Sequence, residues 1–427
     1  MPRSFRPGPG MNRILLVAYH FPPLAGSSGI QRTLRFVQHL PSHGWQPLVL
    51  SAHARAYERV SDDLSAEVPA GTPVHRAFAL DTARHLALGG RYIGAMARPD
   101  RWVSWRFDAV RQGMNMIRKY RPKVIWSTYP IATAHLIGAE LSRRSGLPWV
   151  ADFRDPMAQD GYPADPQTWQ QFRQIEQHAL NSAALSTFTT PGAAAEYRLR
   201  YPMAAERVRV LENGYDEETF AAAAGPGALT PLNPGMVTLL HSGIVYPSER
   251  DPTQLMAALK LLHDAGTLHP GKLKIRFRAA VAEGLIRELA ERYGVEAYVE
   301  ICPPIAYRDA LAEMLNADGL LVLQASNCNA QIPAKLYEYL RAGRPIICLS
   351  DPAGDTAGVV RNAGIDSMAR LDSAEDIAAL LALFLAPSSH SLRTQANPAY
   401  VAAASRAGRA RMLGEMLNNI ITRPDPP

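Results

Sequence analysis

Four short stretches of this 427-residue chain carry charged or polar residues in patterns suited to holding an anion. In IPAKLYEYLRAGRP, Ile332 to Pro345, a proline near the start and Gly343 after the end frame a helix from Pro333 to Gly343. Lys335 falls in its first turn, where the helix dipole disfavours a cation unless an anionic ligand sits there as well. Glu338 and Tyr339 follow within the next turn, where a carboxylate can accept hydrogen bonds from the two hydroxyls of a ribose; a solvated helix face fits the same residues. HSGIVYPSERDP, His241 to Pro252, sets Arg250 just before a second helix whose first position suits Pro252. A guanidinium there can neutralise a diphosphate through its planar fork of donors, or pair with Glu249 or Asp251 in solvent. YHFPPLAGSSGIQR, Tyr19 to Arg32, turns sharply through Gly26, Ser27, Ser28 and Gly29 into a helix, so that backbone N–H groups at the helix start can face an anion. It lacks the spacing of a dinucleotide fingerprint and of a phosphate-binding P-loop, and a plain tight turn fits equally well. VADFRDP, Val150 to Pro156, sets Asp152, Arg154 and Asp155 directly after an apolar run, where three charges are costly unless solvated or used. A structural Asp152–Arg154 pair is one such use.

The elements that must position these stretches are short apolar runs alternating with segments of helical period, the pattern of parallel sheets built from strand-helix-strand units. In the first half the strand candidates are Ile14 to Ala18, Leu48 to Leu50, Val124 to Ser127, Trp149 to Asp152, Leu185 to Thr189 and Val208 to Leu211. Ile30, Leu34, Val37 and Leu40 make one apolar stripe on the first helix. From Ala221 to Pro234 the chain turns rich in Ala, Gly and Pro and loses apolar period, as a linker does. It then restarts with Val237 to His241, Ile275 to Phe277, Tyr298 to Ile301, Leu320 to Leu323 and Ile346 to Leu349, and a late stripe of Ile377, Leu380, Leu381 and Phe384. The expected fold class is therefore α/β, with two doubly wound, Rossmann-like parallel-sheet domains. The expected division is a flexible extension over 1–11, a first domain over 12–222, a linker over 223–234, a second domain over 235–395, and a C-terminal helix over 396–420 packing back toward the first domain. Ligands of such sheets bind at the carboxyl ends of the strands, where all four stretches fall.

Composition narrows the class. A hydrophobic share of 47% with 20% charged residues is that of a soluble globular protein. Cys302, Cys328 and Cys348 lie 26 and 20 residues apart and match neither a disulfide framework nor a zinc site, which suits a reducing cytoplasm. The ten-residue apolar run from Ile377 to Ala386 is too short to span a membrane. The net charge of +6 is concentrated: Arg84 to Lys123 holds ten Lys and Arg against Asp100 and Asp108, a local +8. Tyr92, Trp102, Trp105, Phe107 and Tyr120 are interleaved there, which suits an anionic bilayer surface or a solvated helix over the core. Nucleic acid is disfavoured because no recognised binding module accompanies the charge.

From about Met11 to the end the sequence resembles glycosyltransferase family four, retaining enzymes of the GT-B fold, whose two domains face a central cleft. Glu338, Gly343 and Pro345 match its donor motif, in which a Glu five residues before a Gly-x-Pro turn holds the ribose. Asn213, Gly214, Asp216 and Phe220 match its Asn-Gly-x-Asp-x-x-x-Phe segment, and Arg250 falls on its diphosphate-binding Lys or Arg. Lys335, Glu338 and Tyr339 resemble the Pro-x-Lys-x-x-Glu-Tyr of a bacterial subgroup that makes surface and secreted polysaccharides, as does VADFRDP. Two positions depart from the pattern: Ala330 stands where the family often has a second Glu, and Ile244 where an Arg often follows the glycine after the first strand of the second domain, here Gly243.

The resemblance implies a retaining transfer of a hexose-type sugar from a UDP- or GDP-linked donor to a glycan or lipid-linked acceptor, in the cytoplasm, with the inner face of the plasma membrane as a candidate location. Arg250, Lys335, Arg154 and Asp155 are the expected catalytic residues; Gly243, Glu338, Tyr339, Ser28 and Gly29 the expected donor contacts; Asp152 and Arg32 lie on the acceptor side. No metal and no cofactor are called for, since cations and helix N-termini can stabilise the leaving diphosphate. A GT-B-shaped nucleotide-sugar epimerase and a degenerate, non-catalytic nucleotide-sugar-binding protein are the alternatives.

Overall fold

The computed structural model describes residues 10–27, 29–225, 230–386 and 392–422. Ser28, residues 1–9 of the expected extension and part of the expected linker lie outside them. The chain divides into one unit of Met1–Asn213 with Arg406–Pro427, and a second of Gly214–Ser405. The boundary falls before the Ala-, Gly- and Pro-rich stretch, because the helix Glu217–Ala223 that leads into that stretch buries Phe220 and Ala223 in the second unit's core.

In the first unit, β1 (Asn12–Val17), β2 (Trp45–Ala52), β3 (Val74–Ala77), β4 (Val124–Thr128), β5 (Trp149–Arg154), β6 (Leu185–Phe188) and β7 (Val208–Val210) form one sheet in the order β3-β2-β1-β4-β5-β6-β7. Every pairing is parallel. The expected strands are all present. The short β3, which was not expected, is an edge strand in which His75 and Arg76 leave too little apolar pattern to detect. The first helix, Gly29–His39, buries Ile30, Leu34 and Val37 as its stripe requires. Against the same face packs the helix Arg406–Thr422, whose Ala410, Leu413 and Leu417 join Leu34, Val37 and Trp45 in one apolar cluster. The C-terminal segment is two helices, Pro398–Ala403 and Arg406–Thr422, where one was expected.

In the second unit β8 (Val237–Ser242), β9 (Leu273–Arg278), β10 (Val299–Cys302), β11 (Gly319–Gln324), β12 (Ile346–Ser350) and β13 (Met368–Ala369) form a parallel sheet in the order β10-β9-β8-β11-β12-β13. Neighbouring residues of one strand serve opposite cores: Leu239 packs with Ile275, Phe277 and Leu321, while Leu240 packs with Leu320, Val322, Leu336 and Tyr339. Strands buried on both faces read as continuous apolar runs, which is why they were legible in sequence. Both units are thus Rossmann-like, and strand order reverses between β1 and β4 in one and between β8 and β11 in the other. Loops at those two points are where such sheets bind ligands.

Candidate functional site

The loops after β8 and β11 bring three expected residues together. Gly243, directly after β8, has φ +116°, a conformation reserved for glycine, and a Cβ there would stand 3.2 Å from Lys335 Nζ. The Lys335 ammonium therefore lies against bare backbone. The helix it opens runs Lys335–Ala342 and closes on Gly343 at φ +66°; it starts two residues later than Pro333 suggested. Its Leu336, Tyr337, Tyr339 and Leu340 are buried, at about 2 kcal/mol of apolar stabilisation for each leucine, which fixes the helix face that carries Lys335 and Glu338. Burial and the charge of Arg250 push Lys335 down to about 7, against the opposing pull of Glu338.

Arg250 ends the turn after β8, its N–H donating to the Tyr246 carbonyl at 2.8 Å. Its Nη1 donates to the Ile244 carbonyl at 2.9 Å, and its guanidinium lies 5.1 Å from the Tyr246 ring centre. Nε of Arg250 is buried without a hydrogen-bond partner. The backbone carbonyl of residue 244 thus holds Arg250. Pro252 caps the following helix, Thr253–Asp264, rather than opening it. Glu338 accepts a hydrogen bond at 2.6 Å from the hydroxyl of Tyr307, the half-exposed first residue of the helix Tyr307–Asn316. That helix is tied to β9 by Glu313, which pairs with Arg276 and Arg278 at 2.9 and 2.6 Å.

One expected donor contact lies elsewhere. Tyr339 is fully buried and its hydroxyl accepts the Ser242 N–H at 2.8 Å, so it pins the end of β8 and presents nothing to a ligand. Sequence reasoning missed two residues of this cluster. His241, inside the buried strand, sets Nε2 2.9 Å from Lys335 Nζ, and Tyr307 engages Glu338. A histidine interrupting the apolar run Val-Thr-Leu-Leu was the available signal for the first; for Tyr307 there was none, because its partner lies 31 residues away. Just after β9, Ala279 and Val281 have φ +56° and +65°, strained for residues with a side chain and for a β-branched one above all.

The first unit gathers a second set of expected residues after β1 and β5. Gly29 opens its helix so close to His20 that a Cβ would stand 2.4 Å from its Nδ1 and 3.1 Å from Arg154 Nη1. Ser27 Oγ accepts the Gly29 N–H at 3.2 Å and lies 3.3 Å from His20 Nδ1. Burial and neighbouring Arg154 push His20 down to about 4, so the imidazole is neutral. Register shifts between Asp152 and Arg154 in the pairing of β5 with β6, and Arg154 has φ +63°, so the end of the strand is bent. Thr189 holds that bend by donating its N–H and its hydroxyl to the Arg154 carbonyl, both at 2.8 Å. Asp155 is exposed beyond it, and Arg154 Nε is buried without a hydrogen-bond partner.

Asp152 and Arg32 are brought together, but not on a surface. Asp152 is fully buried and pairs with Arg32, not with Arg154. Its Oδ1 accepts from Arg32 Nη2 and Thr187 Oγ1, both at 2.7 Å; its Oδ2 accepts from Arg32 Nε at 2.9 Å and Thr128 Oγ1 at 2.8 Å. Arg32 also donates to the Leu211 and Glu212 carbonyls. Burial raises the Asp152 pKa, yet the charge of Arg32 and the hydrogen bonds from Arg32, Thr187 and Thr128 outweigh it and leave the carboxyl below its ordinary value. Asp152 is saturated and four of the five Arg32 N–H groups are taken by the protein, so the pair ties the first helix to β4, β5 and β6.

The segment Leu211–Phe220 is likewise structural: Asp216 caps the helix Glu217–Ala223, and Phe220 is buried. In the basic stretch, Trp105 is buried and Trp102 and Tyr120 pack on the core, while Arg98, Arg101 and Arg111 pair with Asp165, Glu58 and Asp108. Leu88, Ile93, Tyr92, Met96 and Phe107 remain exposed. Among the described residues no helix is long and apolar enough to cross a membrane.

Residues 28–214 match the model of the glycosyl transferase 4-like domain. No curated protein matches the chain in sequence. Solved structures of similar fold include HepE of Anabaena in complex with UDP-glucose, with a TM-score of 0.58 at 15% identity over 95% of this chain and 99% of that one. A glycosyltransferase from Rickettsia africae gives 0.61 at 10% identity over 98% and 100%. The trehalose 6-phosphate synthase of Burkholderia multivorans gives 0.63 at 13% over 96% and 97%.

Proposed function

We propose that this chain, a GT-B protein whose residues 28–214 form a glycosyl transferase 4-like domain, moves a sugar from a nucleotide diphosphate donor, UDP- or GDP-linked, to a glycan or lipid-linked acceptor with retention at the anomeric carbon. One observation carries the reading: the Lys335 ammonium, set against the bare backbone of Gly243 at the switch point of the second sheet, feels the charges of both Arg250 and Glu338. The structures of HepE with UDP and UDP-glucose support a UDP-linked donor. Glu338 takes the ribose hydroxyls, displacing Tyr307, and the two cations take the diphosphate. As the anomeric C–O bond breaks, its electron pair leaves with the diphosphate, and Arg250 and Lys335 stabilise that charge more than they stabilise the intact donor. The acceptor oxygen bonds the anomeric carbon on the same face, and its proton passes to a phosphate oxygen of the leaving group; no metal and no protein base enters the step.

In the first unit Asp155 orients the transferred sugar or the acceptor hydroxyl, Arg154 meets phosphate, and the Gly29 N–H end of its helix serves an anion. Surface or exopolysaccharide synthesis at the inner face of the plasma membrane suits such chemistry. Exposed Leu88, Ile93 and Phe107 within a basic stretch support a docking on anionic lipid there.

The deciding experiment incubates the purified protein with UDP-, GDP- and dTDP-sugars and acceptor candidates, and follows nucleotide release and product structure. Release with a new glycosidic bond of retained configuration is expected. Interconversion of donor sugars without an acceptor would mark an epimerase; tight binding with no turnover, the alternative to which Ala330 and Ile244 point, would mark a binding protein.

A further inference from the structure

Resting on the donor-site reading above, we propose that His241 is a positioning residue which holds the Lys335 ammonium for the diphosphate, and that donor binding at this pair takes up a proton. His241 is fully buried in β8, and its Nδ1 lies 3.0 Å from the Leu321 carbonyl oxygen. A carbonyl can only accept, so Nδ1 carries the hydrogen and Nε2 is left with a lone pair. That lone pair faces Lys335 Nζ at 2.9 Å and accepts from it. Leu321 sits on β11, so the orientation of the ring is set by the pairing of β8 with β11 and not by the flexible lysine. On its other side the ammonium is confined by Gly243, where even a methyl group would come within 3.2 Å.

The groups facing Lys335 are His241 from β8, Arg250 from the turn that follows it, and Glu338 one turn further along its own helix. Glu338 is itself engaged by Tyr307 of the neighbouring helix. Without a ligand the charge of Arg250 thus opposes that of Lys335, with Glu338 as the carboxylate that offsets it. His241 cannot relieve this by taking the proton: burial, and then the charge of Lys335, keep its pKa well below the ordinary value. The lysine proton is the one that escapes, and its tendency to do so near pH 7 agrees with the geometry. A diphosphate reverses the balance and draws the proton back from solvent.

The test uses the full chain and the tighter-binding of UDP-glucose and GDP-mannose, whose diphosphates do not titrate near neutrality. Calorimetry in buffers of different ionisation enthalpy, between about pH 7 and about 8.5, should show net proton uptake on binding and affinity that falls as pH rises. His241→Asn keeps a donor for Leu321 but has no acceptor at the Nε2 position; it should weaken binding at least about tenfold and abolish the uptake. His241→Gln, which restores an acceptor near that position, should recover most of both. A wild-type protein that binds without proton uptake, or a folded His241→Asn variant with wild-type affinity and pH profile, overturns the inference and leaves the donor site standing. Failure of the wild type to bind either nucleotide sugar overturns the donor site and this inference with it.

Discussion

The buried pair Arg32–Asp152 allows a quantitative test of what holds the first unit together. Asp152→Asn keeps the shape of the side chain, but either orientation of the amide turns its NH₂ toward an Arg32 N–H, because each carboxylate oxygen accepts from that guanidinium. Thr128 and Thr187 can rotate to accept; Arg32 cannot. The substitution leaves a buried guanidinium without its counter-charge, a loss of about 3–5 kcal/mol. All six tryptophans, Trp45, Trp102, Trp105, Trp126, Trp149 and Trp169, lie in the first unit, so their fluorescence follows its unfolding separately from the second. With a urea slope of about 3 kcal/mol per M for a unit of this size, the tryptophan midpoint should fall by about 1 M or more. Arg32→Met combined with Asp152→Leu should recover part of that loss, since both charges leave the core together. A midpoint shift below about 0.3 M, or a double variant less stable than Asp152→Asn, would refute the view that this pair organises the strand ends.

Glu338→Ala should weaken nucleotide binding at least about tenfold, or about 1.4 kcal/mol, by calorimetry; unchanged affinity would remove Glu338 from the site. Gly29→Ala forces a methyl group into the His20 ring and should lower the tryptophan unfolding midpoint by the equivalent of about 1–3 kcal/mol, whereas Gly146→Ala, in open space, should show only the strain of its positive φ. His20 and His135 are both held near 4 by burial, so they bind protons more readily unfolded than folded. Their contribution to stability is complete above the ordinary histidine value and is lost as pH falls from about 6.5 toward about 4; tryptophan-detected unfolding that is flat across that window would contradict their burial.

The alternation of apolar runs with helical stripes settled the fold class from sequence alone, because strands buried on both faces must be apolar throughout, and Leu239 and Leu240 show why: each serves a different core. The placing of Lys335 and Glu338 on the first turn of one helix was legible as well, since a cation in the first turn of a helix is a local conflict visible without coordinates. What the sequence could not carry was the partner of each charge. Asp152 stands two residues from Arg154 but pairs with Arg32, 120 residues away, because the register shift in β5 and the positive φ of Arg154 break the strand pleat between them and leave Arg154 Nη1 beside Gly29 instead. Tyr339 lies beside Glu338 in sequence yet faces the core, since neighbours on a helix point about 100° apart. His241 and Lys335 meet across 94 residues only because β8 and β11 are adjacent in the sheet. Residue type and local period belong to the chain; which side chain meets which is decided by strand order, and that exists only once the sheet has formed.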